Sequence, residues 1–591
     1  MLFGKHINKY YLKYLHMIIF GVIALVLVDY FQLKVPELYR TIINGINTGY
    51  VQLNGVTVPF DMQFLLDEIC LPLMIIIVIM VFGRFLWRIC FFGSALKVET
   101  DLRRSMFDRC KNLSQEYYQV NKVGNLMSLF TNDIETVQDC FGSGLLAFFD
   151  ALLLGGLALI KMAQMNLTLT LFTLIPMVFM LACGVIVGRY MENKWAERQE
   201  AFSSLSDFAQ ESFSGIAVIK AFVKEFKELF AFKILNKKNE DANVEFTRAS
   251  TLLHVFVTLF VEAVICVILG YGGYLVYNKT FNAGQLIEFI GYFTSIIWPV
   301  MAISQLIEMR SRGMASLNRI GELLDQKPSV CDREGVIDVG KLKGDIEFKN
   351  LTFRYPDGDY DALCNISFKI NAGENVGIIG KTGAGKTTLV DLILRNYNVA
   401  DGTLFVDGYD VNTISIRSLR ENAAYVPQDN FLFSDTIANN IAFAVTGASD
   451  EQIAKSAKIA AVDDNIEQFS KKYDTVLGER GVTVSGGQKQ RISIARAVMK
   501  DAAILILDDS LSAVDTKTER KLIDNLATLR KGKTTILIAH RISTVERMDK
   551  IAFIDDGKLL AVGTHEQLMS SCEEYRKTVE LQKLEDEKED E

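Results

Sequence analysis

Between Leu167 and Gly188 the chain reads LTLTLFTLIPMVFMLACGVIVG, without one charged side chain. Wound as a helix, a segment of about 20 apolar residues spans the roughly 30 Å hydrocarbon core of a bilayer. Five more apolar runs approach or exceed that length: Leu15–Leu33, Ile69–Phe92, Leu145–Ile160, Leu252–Tyr277 and Phe289–Ile307. All six lie before about residue 310, so the chain divides into an apolar half and a soluble half. The first run follows Lys5, Lys9 and Lys13 but lacks a small-residue cleavage site, and is expected to stay as a membrane helix.

Lysine and arginine set the expected orientation. The N-terminus is basic, as are segments 97–141 (Lys97, Arg103, Arg104, Arg109) and 189–251 (Arg189, Lys194, Arg198, Lys220), whereas 34–68 is net acidic. Termini and long loops are therefore expected in the cytoplasm. Those loops mix apolar and charged residues at helical spacing, which predicts membrane helices that continue past the bilayer, turn and return. The turns are expected near 123–132 and 208–215. A net charge of −8 gives no electrostatic footprint for nucleic acid. Nine scattered cysteines without a CxxC pair argue against a metal site or a disulfide framework.

Past a polar linker, short β-runs alternate with helical segments: IEFKNLTFRY, NVGIIG, GTLFVDG, AILILDD, TTILIAH and KIAFIDDGKLLAVG. This alternation predicts a parallel α/β sheet covered on both faces. The expected organisation is a six-helix membrane domain over 1–322, a linker over 323–343, an α/β nucleotide-binding domain over 344–580 and an acidic tail over 581–591.

The chemistry begins with GKTGAGKTT, which fits GxxxxGK[ST] between a strand and a helix. Gly380, Lys381, Thr382, Gly383, Ala384, Gly385, Lys386, Thr387 and Thr388 form a loop whose N–H groups can wrap phosphate. Lys386 is expected to reach the β- and γ-phosphates of ATP, and Thr387 to give its hydroxyl to Mg2+. AILILDD is the second element: a buried strand carries Asp508 to the edge of the sheet, where it can hold the metal. Asp509 follows, placed to orient or deprotonate an attacking water.

Further segments make a family resemblance specific. VSGGQKQR resembles the signature of ATP-binding cassette (ABC) proteins, Gln428 in YVPQDNFLF sits where their Q-loop does, SAVD resembles the D-loop, His540 in IAHR the switch histidine, and Tyr355 in FRYPDG the aromatic that stacks on adenine. TVLGERG resembles the X-loop of exporters. Six membrane helices, two long loops and one cassette, in that order, resemble an ABC exporter half-transporter of type IV membrane fold. The resemblance implies a P-loop NTPase cassette and a dimer in which each ATP is held between one P-loop and the other chain's signature. Ser485, Gly486, Gly487 and Gln488 would serve the partner's site, and Gln428 would join Thr387 and Asp508 around Mg2+.

The chain departs from the family pattern at Asp509, where glutamate is usual. Together with a nearly intact signature this resembles the degenerate-site subunit of heterodimeric bacterial multidrug exporters. The implied partner is a second half-transporter, in a cytoplasmic membrane of bacterial type; a homodimer in which aspartate suffices is the alternative. The implied activity is ATP-driven export of small amphipathic or hydrophobic compounds. A lipid or peptide exporter and an ATP-gated regulatory membrane protein are alternatives, and leader-bearing peptides rank low because no peptidase segment precedes the first run. Glu262 at mid-membrane, with Phe293, Trp298 and Tyr292 beside Pro299 on the sixth run, are the candidate substrate contacts; Asp29 and Asp150 are further ionisable groups in apolar runs, Asp150 at a depth that allows pairing with Arg84 or Arg88.

Overall fold

The computed structural model describes residues 4–590 apart from 54–55, 479–480 and 482–483. It forms two compact units, one of Met1–Lys111 with Gly124–Asp325, the other of Asn112–Val123 with Gln326–Glu591.

The first unit is helical because a backbone in hydrocarbon must satisfy its own N–H and C=O groups. A short helix α1 (Asn8–Lys13) leads into α2 (Leu15–Gln32) and α3 (Lys34–Thr48). A small hairpin, β1 (Tyr50–Leu53) with β2 (Val56–Pro59), connects to α4 (Leu71–Cys110). After the turn come α6 (Val123–Ser128), α7 (Ile134–Met165), α8 (Leu167–Ser214), α9 (Ile216–Ala221), α10 (Glu225–Tyr277) and α11 (Ala283–Asp325), while α5 (Gln115–Val120) belongs to the second unit. Among the described residues five helical segments are long and apolar enough to cross a bilayer, and α8 adds the apolar stretch Leu167–Phe179. At 1.5 Å per residue, α4, α8, α10 and α11 run about 60 to 80 Å, well past the hydrocarbon, as the charged helical patterns predict.

Small residues set the close helix crossings. A Cβ on Gly83 of α4 would lie 2.5 Å from Val28 of α2, and one on Gly155 of α7 would lie 3.1 Å from Pro299 of α11. Pro299 sits inside α11 without ending it. The turns fall elsewhere than the pattern suggests. The first is built by α5, ahead of 123–132, and the second by α9, just after Gly215. Helical periodicity places apolar faces well but is nearly blind to where a polar helix reverses.

The second unit carries two sheets. Strands β12 (Lys558–Gly563), β11 (Lys550–Asp555), β5 (Asn375–Ile379), β10 (Thr534–Ala539), β9 (Ile504–Asp508) and β8 (Ala423–Val426) lie side by side in that order. All but the edge strand β12 are parallel. Every residue of β9 and β10 is buried, the mark of a sheet covered on both faces. The expected single sheet needs correction, because β3 (Ile346–Phe353) and β6 (Leu404–Val406) join β4 (Leu363–Ile370) and β7 (Tyr409–Asp410) in a separate antiparallel sheet. Its strands alternate buried and exposed positions, whereas those of the parallel core do not. KIAFIDDGKLLAVG likewise folds as the antiparallel hairpin β11–β12, turning on Asp556 and Gly557 at φ +48° and +73°.

The unit's helices include α12 (Lys386–Ile393), α13 (Ile437–Ala442), α14 (Asp450–Ile459), α15 (Gly486–Met499), α16 (Thr516–Leu529) and α17 (Glu573–Asp590). Of the X-loop-like TVLGERG, Glu479 and Arg480 lie outside the described residues; Leu477 is buried and donates its N–H to Asp435 O at 2.9 Å.

Candidate nucleotide site

Strand register brings the chemical residues together. β10 lies between β5 and β9, with Ala539 opposite Ile379 and Ile538 opposite Asp508, and β8 flanks β9 with Val426 opposite Leu507. The next residues along each strand are therefore Gly380, His540, Asp509 and, two past Val426, Gln428. Sequence spreads these residues over 380–540; parallel pairing sets them along one edge of one sheet, where ligands of such sheets bind.

The loop after β5 has the backbone that phosphate binding needs. Gly383 and Gly385 have φ of +82° and +94°, and a Cβ on Gly380 would come within 1.9 Å of the Ile554 carbonyl oxygen. Lys386 opens α12 and donates to Gly380 O and Lys381 O, both at 2.8 Å. Burial pushes its ammonium down, while Asp509 and Asp508 hold it up. Thr388 is buried one turn into α12 and hydrogen-bonds Tyr355 Oη at 2.9 Å. Tyr355 also meets Tyr397 edge-on at 5.1 Å, so the expected adenine contact is pinned beside the loop.

Asp508 and Asp509 are adjacent in sequence and unlike in setting. Asp508 is 1% exposed. It accepts from Thr387 and lies 3.4 Å from Tyr425 Oη; burial raises its carboxyl. Oxygen donors converging on a buried carboxylate fit a hard cation such as Mg2+. Asp509 turns out of the strand with φ +44°, its N–H donating to Ile538 O at 3.0 Å. Burial raises its carboxyl as well, opposed by His540, Lys386 and Arg541. Burial and Lys386 depress the His540 imidazole, opposed by Asp509. Gln428 is exposed just beyond β8, its carbonyl accepting from Asn430 Nδ2 at 3.3 Å.

Ser485 caps α15 in a reciprocal box with Gln488: the Gln488 N–H donates to Ser485 Oγ at 3.3 Å, and Ser485 N–H to Gln488 Oε1 at 3.0 Å. The N–H groups of Gly486 and Gly487 open that helix. A Cβ on Gly487 would meet Ala513 O at 2.7 Å, and Gln490 spans the same gap, donating to Ser512 Oγ at 3.2 Å and accepting from Ala513 N–H at 3.0 Å. Signature helix and D-loop thus form one piece. Gln490 lies inside the quoted signature but was not singled out from sequence, since nothing in VSGGQKQR says that this glutamine faces the chain after Asp509.

The candidate substrate contacts lie in the first unit and divide there. Phe293 and Tyr292 are each 1% exposed inside the helix bundle, whereas Trp298 and Glu262 keep open surface. Trp298 directs its indole N–H to Asp150, which lies near Asp29 and Arg84. Arg84 donates to Gln32 Oε1 at 3.3 Å. Asp29 is buried, and its Oδ2 lacks a hydrogen-bond partner among the described residues.

Comparison with known proteins agrees with this geometry. Residues 18–300 match the family model "ABC transporter transmembrane region" and residues 363–512 the model "ABC transporter". The chain is 34% identical over 582 residues to the probable multidrug resistance ABC transporter ATP-binding/permease protein YheI of Bacillus subtilis, covering 98% of this chain and 97% of that one. It is 33% identical over 569 residues to the multidrug resistance-like ATP-binding protein MdlA of Escherichia coli, covering 96% and 94%. The ATP-dependent lipid A-core flippase of Syntrophus aciditrophicus is 33% identical over 526 residues, covering 87% and 86%. A solved bacterial Atm1-family ABC exporter with ATP bound superposes with a TM-score of 0.79 at 25% identity, covering 98% of this chain and 99% of that one. A P-loop and a signature on one cassette, joined to a type IV membrane domain, make the chain a member of the ABC transporter family, an exporter half-transporter that couples ATP hydrolysis to transport.

Proposed function

We propose that the chain is the hydrolytically weak half of a heterodimeric exporter of amphipathic compounds, residing in the cytoplasmic membrane of a bacterium with both termini inside. Asp509 carries the proposal. A carboxylate on one methylene fewer than glutamate stands about 1.5 Å short of a water attacking the γ-phosphate, and a misplacement of that size can cost ~10²-fold in rate. The rest of the site is built to bind. Lys386 and the glycine loop would hold the phosphates and Tyr355 would cover the adenine. Thr387, Asp508 and Gln428 would hold Mg2+, which when bound neutralises phosphate charge.

The capped N-terminus of α15 offers Ser485, Gly486 and Gly487 to a γ-phosphate held by a partner's P-loop. Two cassettes closing around ATP, and parting after hydrolysis, would swing the membrane domains between inward- and outward-facing states as rigid bodies. Apolar surface around α9 supports a partner chain, since Phe222, Val223 and Phe226 stand 69%, 79% and 87% exposed.

For the cargo, a groove of about 630 Å³ between α7 and α11, lined by Phe148, Leu152, Ile303 and Ile307, is of drug-like size. Trp298 and Glu262 would add an aromatic face and a negative charge for a cationic amphiphile. Two relatives named for multidrug resistance support this reading. Lipid flipping is the second reading, favoured by Arg310 in the same groove, which suits an anionic headgroup, and by likeness to a lipid flippase. Purified chain should bind ATP yet turn it over slowly until joined by its partner half; ordinary ATP turnover and export by the chain alone would refute the heterodimer. Unchanged cationic-dye export by Glu262→Gln would remove that residue from the cargo site.

A further inference from the structure

His540 sits at the junction of β10 and a single helical turn, Ile542–Val545, whose preceding residue Arg541 makes no side-chain cap. The missing cap comes from the far end of the chain. Gln582, on α17, accepts from Ile542 N–H at 2.8 Å through Oε1 and donates to His540 O at 2.7 Å through Nε2. Both ends of one amide therefore grip the backbone on either side of Arg541. Gln582 is held firmly enough to do this, because Tyr575 and Val579, seven and three residues earlier on the same helix face, are 0% and 2% exposed. The Tyr575 ring packs edge-on against Phe553 of β11 at 5.6 Å. From the other side Thr544 donates to Glu519 of α16, the helix that follows SAVD.

We infer that Gln582 is a positioning residue for hydrolysis: the C-terminal helix, through this amide, fixes the backbone of His540 so that its imidazole stays over the site shared with Asp509 and Lys386. The effect of Gln582 runs through a backbone carbonyl and an N–H that would otherwise be free to move. The inference rests on the reading of His540 as the switch histidine of the hydrolytic site, and the test separates the two.

The full-length chain with Asp509→Glu, purified in its native dimer with the partner half's own hydrolytic site silenced and placed in lipid nanodiscs, supplies the reference turnover. In that background Gln582→Met keeps side-chain length and helix propensity but removes both hydrogen bonds. Turnover should fall about tenfold, short of the ~10²-fold that a full ångström of misplacement can cost, with ATP affinity held within about twofold. The acid limb of the pH–rate profile should move upward, because a loosened, better hydrated imidazole regains a pKa nearer its ordinary ~6.5. His540→Ala runs in parallel. If it leaves turnover intact, the reading of His540 fails and the inference with it. If His540→Ala is impaired while Gln582→Met keeps both its rate and its pH profile, the inference alone is overturned. A rate loss with an unmoved acid limb and a lower melting temperature would likewise reduce Gln582 to a structural residue.

Discussion

At the scale of single residues, two neighbouring aspartates stand in different settings because a strand ends between them. Asp508 is the last residue of β9 and is sealed beneath Tyr425, while Asp509 leaves the strand at φ +44° toward His540 and Lys386. Restoring the missing methylene with Asp509→Glu should raise hydrolysis at this chain's own site by about tenfold or more, up to the ~10²-fold that such a displacement can cost; an unchanged rate in a reconstituted dimer whose other site has been silenced would show that reach is not what limits this site. Gly487 makes a second point. Since a Cβ there would press on Ala513 O, Gly487→Ala should push the signature helix off the D-loop and cut hydrolysis in the dimer while ATP binding to the chain's own P-loop persists, as equilibrium binding and turnover measured side by side will tell. The types and spacing of these residues were legible as motifs. The contacts that hold them, from Gln490 to the D-loop and from Gln582 to His540, were not, because hydrogen bonds between distant segments leave no local trace.

Elements show where pattern suffices and where it does not. ILILD and TTILIA read as buried strands because a strand covered on both faces needs apolar residues at every position, and both lie in the parallel core. IEFKNLTF also reads as a strand, yet nothing in it declares that its neighbours run antiparallel in another sheet; that depended on which strands lay close enough to pair. One buried cation ties elements that the pattern treats separately. Arg530, at the end of α16, donates to Ala502 O at 3.0 Å, Ala503 O at 3.1 Å, Thr534 O at 2.8 Å and Thr535 Oγ1 at 3.1 Å, and burial pulls its guanidinium down to about 10. Arg530→Leu would strand those carbonyls between β9 and β10, each costing roughly 1–3 kcal/mol when buried without a partner. Thermal denaturation should show a clear drop in melting temperature, with ATP affinity little changed at temperatures where the cassette stays folded.

For the whole molecule, division into two units follows from solvent. Apolar helices are stable where water is absent, and an α/β sheet with polar edges is stable where water is present. The segment 112–123 crosses that division in sequence, lying inside the helical half of the chain yet belonging to the second unit through Ser114, which meets Ser329 at 2.6 Å, and Glu116, which accepts from the same hydroxyl. Breaking this small polar cluster with Ser329→Ala should leave the ATP affinity of the cassette unchanged while weakening the stimulation of hydrolysis by cargo; equal stimulation in wild type and variant would show that the contact carries no coupling.

Sequence alone determined that this chain has a membrane half and a nucleotide-binding half, which segments carry phosphate chemistry, and that Asp509 departs from a pattern. Those are statements about composition, periodicity and short motifs, all encoded within a few tens of residues. Only the tertiary structure decided that Gly380, His540, Asp509 and Gln428 share one sheet edge, that β3 and β6 belong elsewhere, that Phe293 is sealed in the bundle while Trp298 is open, and that the last helix reaches back to the switch histidine. Each of these depends on pairing between segments far apart in the chain, where the energy comes from burying whole faces together and from satisfying backbone groups across them, a quantity no short stretch of sequence contains.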